Sequence, residues 1–362
     1  MMEGGDLFQG VQHIEFYVGS ARQWAFYHSK AFGFAIKGYA GPETGVRDRV
    51  SYLLEQGKVR LILTGFLDSN SDIGQHVRLH GDGVHDIALK VKDYEETSSF
   101  INERKIALIK DEGEIKTGEG LIRKGYVEAY GETRHSLIDL SEYEGYLPPG
   151  FMEIKSADGE VFVGNIDHVV GNVKEGEMNS WVDFYIQGMG FTQLMSFDDK
   201  DISTKYSALR SKVVQYGKRN VVFPINEPAL GLKKSQIQEY IDYYRSDGVQ
   251  HIALHTSDIV KTVRELKARG VEFLNTSGIY YDTLAERVGR IDEDISDLRE
   301  LGILVDRDDD GYLLQIFTKP IGDRPTFFYE IIQRKGATSF GKGNFKALFE
   351  SIEREQERRG NL

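Results

Sequence analysis

Residues 311–362 read GYLLQIFTKPIGDRPTFFYEIIQRKGATSFGKGNFKALFESIEREQERRGNL. Two short apolar runs, 312–318 and 326–332, flank a Pro/Gly/Asp turn, which is the pattern of a β-hairpin. Side chains alternate across a strand, so Leu313, Gln315 and Phe317 share one face of the first run. Phe328, Glu330 and Ile332 share one face of the second. Each face holds one polar residue among apolar ones, and a carboxylate is costly to bury there unpaired. Two readings stand side by side. The faces are solvated, or Glu330 pairs with an arginine such as Arg324 or Arg334; or Glu330 ligates a cation inside the fold, which requires partners elsewhere.

The rest of the chain sets bounds on that second reading. At 362 residues it is long enough for two domains, each with its own core. The net charge of −12 and the lack of a basic cluster exclude a nucleic-acid binder. There is no cysteine, which removes disulfides, thiolate catalysis and thiolate metal ligands. His, Asp and Glu remain as ligands, a set that favours Fe, Mn or Mg over structural zinc. The opening MMEGGDLFQG has no basic and apolar leader pattern, and no apolar run is long enough to span a bilayer. The expectation is a soluble cytoplasmic protein with no membrane partner.

Taken in order, residues 11–18 predict a strand, 22–32 a helix, and Gly33-Phe34 the opening of another strand. Further strands are expected at 50–54, 59–64 and 82–91, a helix at 93–104, and a closing hairpin at 126–130 and 135–140. Two adjacent prolines in YEGYLPPGF, 143–151, mark a boundary between domains 1–150 and 151–362. The second half repeats the order, with NIDHVVGNV at 165–173 and a helix at 179–187. GMGF, ending at Phe191, echoes KAFGF, ending at Phe34. GVQHIALHT at 248–256 echoes GVHDIALK at 83–90, and a helix at 259–269 is stopped by Gly270. The pattern therefore predicts an α+β fold of four βαβββ modules, paired into two open cups by duplication. The stretch 235–245 reads as an inserted helix with a capping box. The stretch 345–358 reads as a terminal helix with an apolar stripe of Phe345, Leu348, Phe349 and Ile352. Beyond Ile352 it is nearly all charged, so only its first half is expected to dock, after a flexible lead-in of Gly341, Gly343 and Asn344.

The same alternation places Ile166, His168 and Val170 on one face, and Val249, His251 and Ala253 on another. A lone histidine there is most often a satisfied core residue. Two histidines and Glu330 at equivalent inward positions of repeated modules are different, because the repeat lets the three converge in one cup. Two histidines and a carboxylate form the facial triad of non-haem Fe(II) oxygenases, which leaves adjacent positions open for a keto acid and dioxygen. In the first half His13 aligns with His168, but Asp86 stands where His251 does. The expectation is a metal-free first cup and one Fe(II) per chain.

The chain resembles the 4-hydroxyphenylpyruvate dioxygenase family, of the vicinal-oxygen-chelate fold. The motifs that carry this are IDHVVGNV from Ile166, FPINEPA from Phe223, KKSQIQEY from Lys233 and GVQHIAL from Gly248. GYLLQIFTKP with DRPTFFYEIIQR from Gly311, and FGKGNFKALF from Phe340, complete the set. The likeness is specific over 160–362 and looser over 8–155. It implies iron ligands at His168, His251 and Glu330, in agreement with strand parity. It implies a polar network of Ser211, Asn226, Gln236, Gln250 and Gln315 around the substrate, of which parity independently points only Gln315 inward. It also implies substrate contacts from Pro224, Phe317, Phe328, Asn344 and Phe345, with the terminal helix as a lid. Departures are small: SALRS has alanine where serine is common, Tyr329 precedes Glu330 facing away from it and without effect, and His255 is a strand-end spectator.

The activity implied is conversion of 4-hydroxyphenylpyruvate and dioxygen to homogentisate and carbon dioxide, in tyrosine and phenylalanine catabolism, by a homodimer or homotetramer. Two rivals remain. A 4-hydroxymandelate synthase uses the same substrate, though that branch typically lacks the PINEP stretch and carries an aliphatic residue where Phe345 stands. A non-catalytic small-molecule binder of the same fold has no need of an intact triad.

Overall fold

The computed structural model describes residues 6–155, 162–198, 204 and 206–361. Residues 1–5, part of the stretch searched for a leader, lie outside them. The order strand, helix, three strands occurs four times. The first module is β1 (Phe8–Val18), helix Ala21–Lys30, β2 (Ala35–Ala40), β3 (Arg49–Gln56) and β4 (Val59–Phe66). The second is β5 (Gly83–Val91), helix Tyr94–Glu103, β6 (Leu108–Thr117), β7 (Gly120–Glu128) and β8 (Arg134–Tyr143), followed by the short β9 (Met152–Glu153). The third is β10 (Asn165–Asn172), helix Met178–Asp183 running on as a π-helical turn Phe184–Gly188, β11 (Thr192–Phe197), β12 (Ala208–Tyr216) and β13 (Val221–Ala229). The fourth is β14 (Gly248–His255), helix Ile259–Ala268, β15 (Leu304–Arg307), β16 (Tyr312–Phe317) and β17 (Phe328–Lys335). Side-chain caps start the helices where the sequence changes period: Ser20, Asp93, Ser235 and Asp258 each accept from a backbone N–H three residues on.

The modules pair into two curled sheets. One has nine strands in the order β6-β7-β8-β5-β1-β4-β3-β2-β9; the other has eight, β11-β12-β13-β10-β14-β17-β16-β15. The opening strands of paired modules run antiparallel at the centre of each sheet, β1 on β5 and β10 on β14. Each opening strand also pairs in parallel with the last strand of its own module, as β14 does with β17. This is the α+β architecture of duplicated βαβββ modules that the repeat predicts. Elements not anticipated are helix Asp72–His80, strand β6, and three short helices, Ile279–Asp282, Leu284–Val288 and Ile295–Leu301, inserted before β15.

Strict alternation fails at two places. Between Ile166 and His168, and again between Val170 and Gly171, the register of β10 with β14 slips, leaving Asp167 and Gln250 as extra bulge residues. Ile166 and Val249 therefore turn to the outer core, with Val169, Ile252 and Leu254, instead of sharing the histidines' faces.

The terminal helix, Phe345–Arg358, is docked along its whole length, contrary to expectation. Beyond Ile352, Glu353 and Gln356 are buried, Glu353 accepts from Ser207 Oγ at 2.6 Å, and Arg359 pairs with Glu239 at 2.7 Å. The charge there faces polar partners rather than water. Its lead-in is a hydrogen-bonded 3₁₀ turn, not a flexible one: Gly343 N donates to Asp306 Oδ2 at 2.9 Å and Tyr280 Oη donates to buried Asn344 Oδ1 at 2.6 Å. Only half of the expected capping box forms at Ser235, since Gln238 donates to Asp242 instead of reaching back.

The two sheets are joined through buried polar contacts. Gln56 Oε1 accepts from the N–H of Phe162 and of Val163, both at 2.8 Å, and its Nε2 donates to Phe32 O at 2.6 Å. Tyr329 faces away from Glu330 as parity predicts. It is not idle, because its hydroxyl meets His28 Nε2 at 3.0 Å and it is fully buried against the first sheet's helix. Gln56→Ala would leave two buried donors and an acceptor unpaired. The expected cost is about 2–4 kcal/mol, read as a lower denaturant midpoint; an unchanged midpoint contradicts this account of the junction.

Candidate metal centre and pocket

Strands β10, β14 and β17 lie side by side in the second sheet, and they bring His168, His251 and Glu330 to one point. In register, Ala253 of β14 is paired with both His168 and Glu330, and His251 with Val170 and Phe328. His168 Nε2 lies 3.2 Å and His251 Nε2 lies 3.4 Å from the same oxygen, Glu330 Oε2. One ligand atom from each of the three lies within 4.8 Å of the others. All three side chains are buried. The arginines considered as partners for Glu330 go elsewhere: Arg334 to Asp167, and Arg324 to the carbonyls of Arg78, Leu79 and Tyr243.

The other nitrogen of each ring is already engaged. His168 Nδ1 is 2.7 Å from Asp167 Oδ1, and Asp167 is held from behind by Arg334 through two bonds of 2.7 and 2.8 Å. Burial works to raise the Asp167 carboxyl, but Arg334 and His168 outweigh it and hold it well below the usual range, so it accepts only. Gln250 Oε1 lies 3.0 Å from His251 Nδ1 and accepts in the same way. With both Nδ1 atoms carrying hydrogen, the neutral rings turn their Nε2 lone pairs toward a carboxylate that has no hydrogen to give. Burial would raise Glu330, yet His168 and His251 hold it at about 2. Burial lowers His251, while Glu330 and Asp167 more than offset it at His168 and raise that ring. An N₂O set of lone pairs converging on one buried point fits a divalent cation, and the open side of the set faces a cavity.

The atom-free space there amounts to about 680 Å³, open solvent at its mouth included. Ser211, Pro224, Asn226, Gln236, Gln250, Gln315, Phe317, Phe328 and Phe345 all line it. Asn344 does not; its side chain is turned to Tyr280. His255 is also absent from the lining. The bulge at Gln250 explains how two adjacent residues, Gln250 and His251, both reach the pocket. Ser211 and Asn226 are paired across β12 and β13, and Gln315 lies opposite Ile332 across β16 and β17. Aromatic rings fix the imidazoles: Phe328 stacks on His251 at 4.9 Å, and Phe340 meets His168 edge-on at 5.1 Å. Phe345 packs edge-on against Phe197 at 5.2 Å, at the mouth formed by the terminal helix. Sequence reasoning missed Asp167, Phe197, Leu209, Val213 and Phe340. Only Asp167 had a signal, its place beside His168, and parity alone sends it to the wrong face.

The first sheet holds the same positions with other chemistry. By register, His13 and Asp86 stand where His168 and His251 do, and Ser136 where Glu330 does. Asp86 accepts from Arg134 Nε at 2.9 Å and from Ser136 N and Oγ at 2.9 and 2.5 Å. A guanidinium supplies the positive charge in this cup.

Comparison with known proteins follows the same lines. Residues 165–316 match the family model described as Glyoxalase/Bleomycin resistance protein/Dioxygenase superfamily. A 4-hydroxyphenylpyruvate dioxygenase from Danio rerio is 44% identical over 98% of this chain and 92% of its own length. One from Yarrowia lipolytica is 42% identical over 99% of this chain and 94% of its own length. Among solved structures, a triple mutant of 4-hydroxymandelate synthase from Streptomyces coelicolor superposes with a TM-score of 0.83 at 32% identity, covering 96% of this chain and 99% of that one.

Asp167→Asn keeps the shape of the support for His168 but removes its charge. The expected result is a metal affinity weaker by about 10–100-fold, measured by competition with a chelator. Unchanged affinity would mean that the Arg334–Asp167–His168 chain does not tune the site.

Proposed function

The chain belongs to the 4-hydroxyphenylpyruvate dioxygenase family, and on that premise we propose that it converts 4-hydroxyphenylpyruvate and dioxygen to homogentisate and carbon dioxide at the cup of the second sheet. The observation that carries this is the convergence of His168 Nε2 and His251 Nε2 on Glu330 Oε2 beneath a cavity lined by aromatic rings and amides. We assign Fe(II), one per chain, to these three residues. Bound there, the ion supplies a Lewis-acidic point for the keto acid and a place to activate dioxygen.

The protein's own contribution is position and exclusion. Asp167 and Gln250 keep the Nδ1 protons in place, so that both Nε2 lone pairs stay available. Gln250, Gln315, Asn226, Gln236 and Ser211 are the groups we assign to orient the polar ends of the substrate. Asn226 is itself within 3.5 Å of Asn172 Oδ1, which steadies its amide. Phe317, Phe328, Phe345 and Pro224 form the apolar wall for the ring. The terminal helix covers the mouth and keeps water from the reacting centre. Its anchoring through Glu353, Gln356 and Arg359 at one end, and through Gly343 and Asn344 at the other, supports a lid held shut at both ends.

The division into a metal-free half, 1–150, and an iron-binding half, 151–362, is supported by the two separate sheets and by Arg134 occupying Asp86 in the first. Strand β9 (Met152–Glu153) nonetheless pairs back onto the first sheet. No helix among the described residues is long and apolar enough to cross a membrane; a cytoplasmic site of action is our reading.

The second reading is a 4-hydroxymandelate synthase, favoured by the structural likeness. Phe345 at the mouth and Pro224 with Asn226 in the wall weigh for the dioxygenase. The test is reconstitution with Fe(II) under argon, then addition of 4-hydroxyphenylpyruvate and dioxygen, with products identified by mass and retention. Homogentisate is expected; 4-hydroxymandelate would overturn the assignment while keeping the metal site. Removing residues 341–362 should leave iron binding intact but separate decarboxylation from ring hydroxylation. Carbon dioxide then exceeds homogentisate, and an unchanged ratio contradicts the role given to the helix.

A further inference from the structure

We propose that His76, His80 and Glu132 form a second divalent-cation site, suited to zinc, which fastens the first sheet's half of the chain to the helix beside the pocket. Helix Asp72–His80, capped by Ser71, presents His76 and His80 one turn apart on a single buried face. That i, i+4 spacing lets two imidazoles share one ion. Glu132, on the turn between β7 and β8, completes the group. His76 Nδ1 lies 2.6 Å from Glu132 Oε2 and His80 Nε2 lies 3.3 Å from Glu132 Oε1. One ligand atom from each residue lies within 4.8 Å of the other two.

The hydrogen-bond pattern points to a cation rather than to an ordinary cluster. His80 Nδ1 is 2.5 Å from the carbonyl oxygen of Tyr244, which can only accept, so Nδ1 carries the hydrogen. In the neutral ring Nε2 then holds a lone pair. That atom is buried without a hydrogen-bond partner and is aimed at a carboxylate oxygen. Two acceptors facing each other across a small gap is the arrangement already seen at the facial triad. His76 Nε2 lies 3.5 Å from Tyr244 Oη, so the far nitrogens of both rings bear on the same tyrosine. Metal-bound histidines characteristically donate their other N–H to a carbonyl or similar acceptor.

Tyr244 ends helix Gln236–Tyr244, whose first residue lines the pocket. An ion held by His76, His80 and Glu132 therefore braces that helix from the opposite half of the chain. Two imidazoles and one carboxylate, with a half-exposed Glu132 admitting water to a fourth position, suit a tetrahedral borderline cation. None of the three residues takes part in the facial triad, so the site stands or falls independently of it.

The rival is a protonated His80 paired with Glu132, which binds no metal. The test adds Zn²⁺ stepwise to the iron-loaded holoenzyme and follows heat, iron content and Tm. One further equivalent per chain is expected, with iron retained and Tm raised. Glu132→Gln, at a half-exposed position that keeps the fold, and His80→Gln should each weaken uptake by about tenfold or more. Zinc-edge anomalous scattering should peak between His80 and Glu132. No further equivalent, zinc taken up only as iron is released, or uptake unchanged in both variants would overturn the proposal.

Discussion

Three potential ligand atoms are forced together in the interior: the Nε2 atoms of His168 and His251, which hold lone pairs when the rings are neutral, and one oxygen of Glu330. Left empty of positive charge, such a cluster would be among the most costly features in the fold. Much around it serves to hold it. Arg334 anchors Asp167, Asp167 orients His168, Gln250 orients His251, and Phe328 and Phe340 wedge the rings. Two β-bulges make this possible, because each swings the residue next to a histidine onto the histidine's own side of the sheet. The outer faces of the same strands are closed by the rest of the molecule, as Tyr329 is against His28.

The first sheet offers an internal comparison. The duplicated framework keeps the bulges, with Gln12 beside His13 as Asp167 is beside His168. The demand for positive charge is met there by Arg134, which bonds Asp86 directly. A side chain that carries its own cation removes the need for an external one and fills the space besides. Burial drives His13 down to about 4, which keeps that ring neutral next to the ion pair. One architecture thus supports two solutions to the same electrostatic problem, and the second leaves an open side toward a cavity.

Much of this was legible from residues alone. The module order and the inward placement of Gln315, Phe317, Phe328 and Glu330 follow from alternation, because β16 and β17 are regular through those positions. Alternation misplaced Ile166 and Val249 because a bulge leaves no mark in composition. In the second half of the terminal helix, charge density does not mean exposure. Glu353 is instead buried against Ser207 and Arg359 reaches Glu239, far away in sequence. Family likeness assigns Asn344 to the substrate; its side chain is bonded to Tyr280, in the helices inserted before β15. His76, His80 and Glu132 escaped notice because the short helix was not anticipated and nothing local ties Glu132 to it. Alternation turns Phe317 and Phe328 inward, but only family likeness marks them as pocket, since a phenylalanine on a strand is ordinarily core.

The most direct test of the account is anomalous scattering at the iron edge from crystals loaded with Fe(II) under argon. The account predicts one iron peak per chain, within coordinating distance of His168 Nε2, His251 Nε2 and a Glu330 oxygen, with Asp167 and Gln250 still on the Nδ1 atoms. An iron peak elsewhere, or none at this point in active protein, would contradict it.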